Sequence, residues 1–298
     1  MSKSEGPAQP GPLGSGGASY RVELLYEGPP ALDAEQVASR VQSRCPQAEA
    51  AAAAGGQPPI LFAHKDHLVT FTDGEVEAPV TAKTVVFPGD DVVDVSALQR
   101  SAGQTRDWEN AADAVARCTV KVPVTDLFAR DLEPRERLAI FQSVLLGLIE
   151  ANPPAAIHWR PAGKLVDPAA LLRASGSARY DDLPASAINV RLFRVKNSED
   201  GDLLMDTLGL AALMLPDLQI HFHGLEPASV AAHLYAFGLH VLRNGDVLDD
   251  GDAVDGPRTG QTWTCWHAPA SLVEPTRPVI DLDPGPPYAG RHARAVIP

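Results

Sequence analysis

The sequence predicts an α+β fold in which antiparallel sheets carry helices packed on one face. Three patterns indicate this: partly alternating segments such as Arg21 to Tyr26, an Asp73-Gly74 hairpin turn, and segments with apolar residues three and four positions apart. In the first part of the chain the predicted order is strand, helix, strand, strand, helix, strand. This order is typical of the ferredoxin-like split βαβ arrangement, and the two halves of the chain could form two such lobes.

The first lobe is predicted over residues 20–130, after a disordered leader at residues 1–19 whose Gly, Pro and Ser residues cannot form a core. Its first helix begins at Asp33, a residue type that caps helices, and ends near Cys45 because Pro46 cannot continue it. The other elements are predicted in this order: a strand at 21–26, a loop with a helical tail at 48–59, strands at 67–72 and 75–87, a polar connection at 88–105, a helix at 106–118 and a strand at 119–127.

The second lobe is predicted over residues 131–283, followed by a proline-rich flexible tail at residues 284–298. Pro134 and Pro227 each suit the first position of a long amphipathic helix. The other elements are predicted in this order: a strand at 156–159, a helix capped by Asp167, a loop at 175–184, strands at 188–196 and 203–207 joined by a turn at 197–202, and strands at 217–223, 261–267 and 277–282.

Charge and composition limit the classes of partner. The chain has 298 residues and a formal net charge of −13 at pH 7, which argues against general binding to nucleic acid or to anionic lipid. The same charge favours association with a basic protein, although acidity can also serve solubility alone. The three cysteines form no disulfide framework, and no apolar run has the roughly 20 residues of a membrane helix. We therefore expect a cytoplasmic protein.

Histidines offer the strongest metal candidates, because no motif for a nucleophile, a bound phosphate or a cofactor occurs in the sequence. His221 and His223 lie two residues apart on a predicted strand, so both side chains leave the same face. With Asp217 or His158 added, the pair would suit a metal-assisted hydrolase. Zinc needs three or four converging ligands, so half-buried histidines at a sheet edge remain the alternative.

Carboxylates concentrate between Gly245 and Gly256, as they do in a calcium loop. Leu248 occupies a position where an EF-hand loop requires an acidic residue, and Asp-Gly pairs are common in hairpin turns. We therefore interpret this segment as a surface turn.

Two apolar-rich segments contain the candidate binding residues. In the first, Trp159 beside Arg160 could form an aromatic and cationic recognition patch, whereas the alternative is a core tryptophan on a strand. In the second, from Leu204 to Leu210, Asp206 is the candidate binding residue.

A pattern of residues in the second half of the chain points to a family. It consists of Ile157–Pro168, Met205–Leu210, Leu215–Gln219, and Ser271-Leu272-Val273 with Pro275 and Arg277. These runs resemble the bacterial domain-of-unknown-function 4261 family. The resemblance implies a bacterial intracellular α+β module that binds a partner, and it assigns no catalytic residue.

These observations favour a cytosolic, non-enzymatic protein–protein interaction module. One form is an immunity or antitoxin-like protein that blocks a basic toxin by electrostatic complementarity. The alternatives are a metal-assisted hydrolase that uses the His221 and His223 pair, and a structural component of a bacterial assembly.

Overall fold

The computed structural model describes residues 19–52, 59–73, 76–89, 91–175, 185–196, 198 and 201–290. These ranges contain six α-helices and fourteen strands, and the strands form two mostly antiparallel sheets. This confirms the predicted α+β class. Several predictions fall outside the described residues: the leader over residues 1–18, most of the loop at 175–184, Gly74 in the hairpin turn, part of the turn at 197–202, and residues 291–298 of the tail.

The helices and strands are numbered in chain order. The helices are α1 (Ala34–Arg44), α2 (Val95–Gln104), α3 (Ala111–Ala116), α4 (Pro134–Ala151), α5 (Pro168–Ser175) and α6 (Pro227–Asn244). The strands are β1 (Arg21–Tyr26), β2 (Ala48–Ala52), β3 (Ile60–Asp73), β4 (Val76–Val86), β5 (Asp91–Val92), β6 (Val120–Leu127), β7 (Ala156–Trp159), β8 (Lys164–Val166), β9 (Asn189–Arg194), β10 (Leu203–Leu208), β11 (Asp217–Phe222), β12 (Ala253–Asp255), β13 (Thr262–Ala268) and β14 (Val279–Asp283).

The first sheet has the order β2-β3-β4-β6-β1-β7-β8, with β5 paired to β6, and its described pairings are antiparallel. α1 and α4 cover one face, where Leu24 shares the main core with Val37 and Phe141. α2 and α3 cover the other face, where Leu25 and Leu98 are buried together. This sheet therefore carries helices on both faces, whereas the sequence predicted one face. The difference comes from α2, which forms within the predicted polar connection because Leu98 gives it an apolar side.

The ferredoxin-like arrangement is not confirmed, and β2 is the reason. Its alanine-rich residues, predicted as part of a loop, pair with β3 through main-chain hydrogen bonds that need no large side chains. In a split βαβ arrangement the two strands joined by the first helix run parallel. Here the strand predicted to follow that helix is part of β3, which runs opposite to β1. The strand that follows the helix in the structure is β2, which runs parallel to β1 but is separated from it by β3, β4 and β6.

The second sheet has the order β12-β13-β14-β11-β10-β9, and β11 pairs with β14 in parallel. A parallel pairing requires a long crossover, which α6, β12 and β13 supply here. α6 packs on one face of this sheet, where Leu234 and Val241 share the main core with Ile220 and Trp263. The opposite face is called the outer face below.

The division between the two sheets does not coincide with the predicted lobe boundary at residues 130 and 131. β7 and β8 follow that boundary in sequence, yet they pair within the first sheet. The main core also contains residues of both sheets, such as Leu24 of β1 and Ile220 of β11. The two halves of the chain therefore share one core.

Residues 284–290, predicted as the start of a flexible tail, lie against β11. Ala289 bridges to Phe222, and the main-chain N–H of His223 donates to the carbonyl oxygen of Tyr288 at 3.0 Å. Tyr288 also packs against the main core. Main-chain hydrogen bonds and one aromatic side chain thus hold a stretch whose proline and glycine content suggested little reason to fold.

Capping residues explain where three of the helices begin. Asp33 is confirmed as the cap of α1, because its carboxylate accepts a main-chain N–H three residues later at 2.9 Å. Glu133 and Glu226 accept main-chain N–H groups at the starts of α4 and α6, and Pro134 and Pro227 take the first helical positions as predicted. None of the described helices is long and apolar enough to cross a membrane.

The contact between α1 and α4 depends on Gly147. A Cβ atom at this position would lie 2.6 Å from Cγ2 and 2.8 Å from the main-chain nitrogen of Val41. We expect Gly147→Ala to lower the free energy of unfolding by roughly 1–3 kcal/mol in urea denaturation, because overpacking outweighs the gain in helix propensity.

The matched control is Gly103→Ala in α2, where nothing lies within 4 Å of the added Cβ. This variant should raise the free energy of unfolding by up to about 1 kcal/mol. A Gly147→Ala protein at least as stable as the parent would contradict the close contact between α1 and α4.

Candidate functional site

The outer face of the second sheet carries buried charged and polar side chains beside a small apolar cluster of Phe193, Leu204 and Val273. Side chains alternate along each strand, so the residues that face α6 are apolar and their neighbours point outward. The outward-facing residues are Arg191 and Phe193 of β9, Leu204 and Asp206 of β10, Gln219 and His221 of β11, Thr264 and Trp266 of β13, and Asp281 and Asp283 of β14.

Asp206 lies at the centre of this face and is completely buried. Arg191 of β9 binds it through two parallel hydrogen bonds, from Nε to Oδ1 at 2.9 Å and from Nη2 to Oδ2 at 2.5 Å. Arg277 donates to the same carboxylate from Nη2 at 2.6 Å. Asp206, predicted as a binding residue, is therefore closed to a partner. Its single negative charge is shared by two guanidinium groups inside the protein, where an unpaired charge would be costly.

Arg277 extends this network to β11. Its Nε donates to Oδ2 of Asp217 at 2.9 Å, and its Nη1 donates to the carbonyl oxygen of Pro275 at 2.7 Å. Oδ1 of Asp217 accepts from the hydroxyl of Thr207 at 2.9 Å and from the N–H of Leu210 at 3.1 Å. The network therefore joins β10, β11 and the segment before β14. We call these four charged residues, Arg191, Asp206, Asp217 and Arg277, the buried ion network.

The side chains of His221 and His223 both lie near the carboxylate of Asp202. Their spacing of two residues predicted that the two side chains would share one face of the strand. Nε2 of His221 lies 3.3 Å from Oδ2 of Asp202, and Nδ1 of His223 lies 3.2 Å from Oδ1. Burial lowers the pKa of His221, against the opposing effect of the nearby Asp202 and Asp281 charges. Gly290 lies against the His221 ring. Among the described residues, no group of three or more His, Cys, Asp or Glu side chains is arranged to hold a metal ion.

The structure does not bring together the residues considered for a metal-assisted hydrolase. Asp217 is fully buried and bound by Arg277. His158 lies on β7 of the first sheet, where its Nδ1 is 3.0 Å from Oε2 of Glu23 and its Nε2 is 3.2 Å from the hydroxyl of Ser101. Only His221 and His223 are neighbours in that set.

Glu23, His158 and Ser101 follow the order carboxylate, imidazole and hydroxyl that is found in catalytic triads. A triad also needs N–H donors beside the nucleophile to bind an oxyanion. Ser101 lies in the second half of α2, where main-chain N–H groups are used by the helix. The hydroxyl of Thr105 extends this series of hydrogen bonds: it donates to the carbonyl oxygen of Ser101 and accepts from the N–H of Leu165, both at 2.8 Å. These contacts anchor α2 to the first sheet.

Trp159 and Arg160 point in different directions and do not form the predicted patch. Trp159 is completely buried, and its indole N–H donates to the hydroxyl of Tyr20 at 2.7 Å, which matches the alternative of a core tryptophan. Arg160 is half exposed and lies 3.3 Å from Glu23. β7 ends at Trp159 and Arg160 begins a short 3-10 helix, which leaves Arg160 on the Glu23 side together with His158.

Trp266 is the most exposed aromatic side chain among the described residues, ahead of Phe71, Phe87 and Phe128, and the sequence did not single it out as a binding residue. It has 49% of its surface exposed on the outer face. Asp281 of β14 is its register partner, and Asp283 lies two residues further along the same face. Side-chain alternation along β13 predicts that Trp263 and Trp266 lie on different faces of the sheet. The sequence does not show which of the two tryptophans faces the core.

The segment between Gly245 and Gly256 lines the edge of the sheet beside Trp266, which agrees with the predicted surface turn. Gly251 donates its N–H to the carbonyl oxygen of Cys265 at 2.8 Å, and the N–H of Cys265 donates to the main-chain carbonyl oxygen of Asp252 at 2.9 Å. The segment has five exposed aspartates and no lysine or arginine: Asp246, Asp249, Asp250, Asp252 and Asp255. These five residues, with Asp281 and Asp283, are called the acidic edge.

His267 fixes one end of the acidic edge. Its Nδ1 lies 2.8 Å from Oδ1 of Asp250, and its Nε2 lies 3.2 Å from both carboxylate oxygens of Asp246. The hydrogen bonds to Asp250 and Asp246 raise the pKa of His267 above its usual range. The main-chain N–H of His267 also donates to Asp250 at 2.6 Å. The loop is thus held on β13 by its own contacts.

The family comparison covers the part of the chain that contains this face. Residues 206–283 match the family model described as Domain of unknown function (DUF4261). The resemblance found in the sequence is confirmed over that range, whereas the run at 157–168 lies outside it. No curated protein and no solved structure matches the chain. The matched range begins at Asp206 and contains Trp266, Arg277 and the acidic edge.

The buried ion network predicts a large effect at Asp206. Asp206→Asn would leave Arg191 and Arg277 buried without their shared negative charge, and we expect the free energy of unfolding to fall by about 3–5 kcal/mol. The control is Asp255→Asn on the exposed edge, which should change it by less than about 0.5 kcal/mol. Equal urea midpoints for the two variants would show that the network does not stabilise the fold.

A pH dependence follows from Glu23, which is 5% exposed. Burial raises its pKa, but the hydrogen bond from His158 and the charges of His158, Arg160 and Lys121 outweigh this and lower the pKa to about 2. The ionised form is therefore favoured by folding. Its stabilisation is complete above the unfolded pKa near 4.5 and is lost as pH falls towards 2.

We expect Glu23→Gln to lose roughly 3 kcal/mol of unfolding free energy at pH 7, with a difference from the parent that shrinks steadily between pH 5 and pH 2. Urea denaturation at several pH values measures this. The exposed residue Glu77 gives the control Glu77→Gln, for which the curve should follow the parent. A Glu23→Gln difference that does not vary with pH would contradict the assigned contacts.

Proposed function

We propose that the chain is a protein–protein interaction module that binds a lysine- or arginine-rich segment of another protein at the acidic edge. The observation that carries this proposal is Trp266, an exposed tryptophan with an aspartate as its register partner and further carboxylates along the sheet edge. Tryptophan is enriched among residues that dominate binding energy, and its ring face attracts cations. An aromatic residue bordered by carboxylates suits a basic partner in both respects.

The local charge supports the choice of a basic partner. Asp281 and Asp283 share the face of Trp266, whereas Asp246 and Asp250 are bound to His267, whose side chain points to the other side of β13. The cations on the outer face, Arg191 and Arg277, are buried and neutralised by Asp206 and Asp217. Negative charge is therefore left at the surface, where it would accelerate association with a basic protein and disfavour an acidic one.

The surface is held in place before a partner arrives. Trp266 lies on a paired strand, and the acidic loop is bound to that strand by main-chain hydrogen bonds. A preformed site loses less conformational entropy on binding than a flexible one. This supports recognition of the partner by a rigid sheet face.

An immunity or antitoxin-like role in a bacterial cytoplasm is one form of this function, because such a protein can block a basic toxin by covering its cationic groups. A scaffold role in a bacterial assembly would use the same surface. Metal-assisted hydrolysis has less support, because Asp217 and His158 lie apart from the His221 and His223 pair.

The test measures binding of a twelve-residue peptide of alternating lysine and alanine by calorimetry. We expect saturable binding that weakens at least tenfold between about 50 and 200 mM salt. Trp266→Ala should weaken it by a further factor of ten or more, as expected for a central aromatic contact. Leu68→Ala is the matched control, since Leu68 is an exposed apolar residue of the first sheet.

Two results would contradict the proposal. One is a Trp266→Ala protein that binds the lysine peptide as tightly as the parent does. The other is equal affinity for a peptide of alternating glutamate and alanine. Unchanged unfolding curves for Trp266→Ala and Leu68→Ala would confirm that any difference in affinity arises at the surface.

A further inference from the structure

A separate cavity of about 400 Å³ lies where the first sheet meets β9 and α6. Its volume is within the range of small-molecule sites, roughly 300–1,000 Å³. Such sites are often found where two structural units meet. The cavity is lined by α6-facing residues of the second sheet, so it does not share the outer face or the acidic edge.

The interior of this cavity is mostly apolar. Val190 and Leu192 of β9 form one side with Met205 of β10, and all three belong to or pack against the main core. Ala231 and Tyr235 of α6 form the opposite side. The short side chain of Ala231 leaves space between helix and strand that a larger residue would fill.

Charged side chains of the first sheet and its connections lie at the rim. Lys164 is 6% exposed, and its ammonium group is 3.3 Å from the carboxylate of Asp107, which is itself exposed. Arg106 is also exposed and borders the same cavity. The two cations and the one carboxylate give this rim a net charge of +1, although the formal net charge of the whole chain is −13. A buried ammonium has three donors, so Lys164 can bind a second carboxylate besides Asp107.

We propose that this cavity binds an aliphatic monocarboxylate, with its alkyl chain between β9 and α6 and its carboxylate at Lys164 and Arg106. The apolar sides provide the burial that an alkyl chain requires. The single excess positive charge matches one carboxylate, and a polyanion such as a nucleotide would place further charge against apolar residues. The site is independent of the proposed protein-binding surface.

Octanoate is the probe, added to the full chain at pH 7 and measured by calorimetry. We expect saturable one-to-one binding, and binding of octan-1-ol that is at least tenfold weaker because the alcohol has no charge for Lys164. Asp107→Asn should tighten octanoate binding, because it removes the carboxylate that competes for the same ammonium. Lys164→Met should remove the preference for octanoate over octan-1-ol.

Ala231→Phe fills the cavity and should abolish binding of both probes. The matched control is Ala236→Phe on an exposed position of the same helix, which should bind octanoate as the parent does. Should Ala231→Phe fail to fold, Asp107→Asn and Lys164→Met still decide the question. Absence of saturable octanoate binding, equal affinity for octan-1-ol, or an Asp107→Asn protein with unchanged affinity would each overturn the proposal.

Discussion

The carboxylate of Asp206 is the constraint on which the second sheet depends, because it lies fully buried between two guanidinium groups. Arg191 comes from the edge strand β9, whereas Arg277 precedes β14 and also binds Asp217 of β11. Charges enclosed in this way are favourable only when every partner is in place. The network therefore fixes how β9, β10 and β11 lie relative to the segment before β14, and the outer face follows from that arrangement.

This constraint separates the charged residues of the family-matched range into two groups with different roles. Asp206, Asp217 and Arg277 are turned inward and satisfy one another, so they hold the sheet. Trp266 and the acidic edge apart from Asp281 are exposed and are free of that internal role, whereas Asp281 is half-buried and accepts a hydrogen bond from Gln219 at 3.2 Å. A rigid polar core beneath an exposed aromatic and acidic surface is what a recognition module requires, since its binding energy is then not spent on ordering the site.

The sequence was sufficient for the α+β class, for the capped starts of α1, α4 and α6, and for the shared face of His221 and His223. It failed where tertiary pairing overrides composition: alanine-rich β2 forms because β3 offers main-chain partners, and α2 forms because Leu98 finds a second apolar face of the sheet. It also could not assign faces. Trp159 and Asp206 suggested recognition but are buried, whereas Trp266, on a strand with a second tryptophan, is the exposed one.

Amide hydrogen exchange of the full chain at pH 7 tests most directly whether the buried contacts hold the outer face rigid. Leu210 and Leu272 lie outside the strands, but their N–H groups donate to the side chains of Asp217 at 3.1 Å and Gln219 at 2.7 Å. Both amides should exchange as slowly as those within β11, because opening them requires breaking the buried contacts. Exchange of these two amides at the rate of the exposed loop residue Val247 would contradict this expectation.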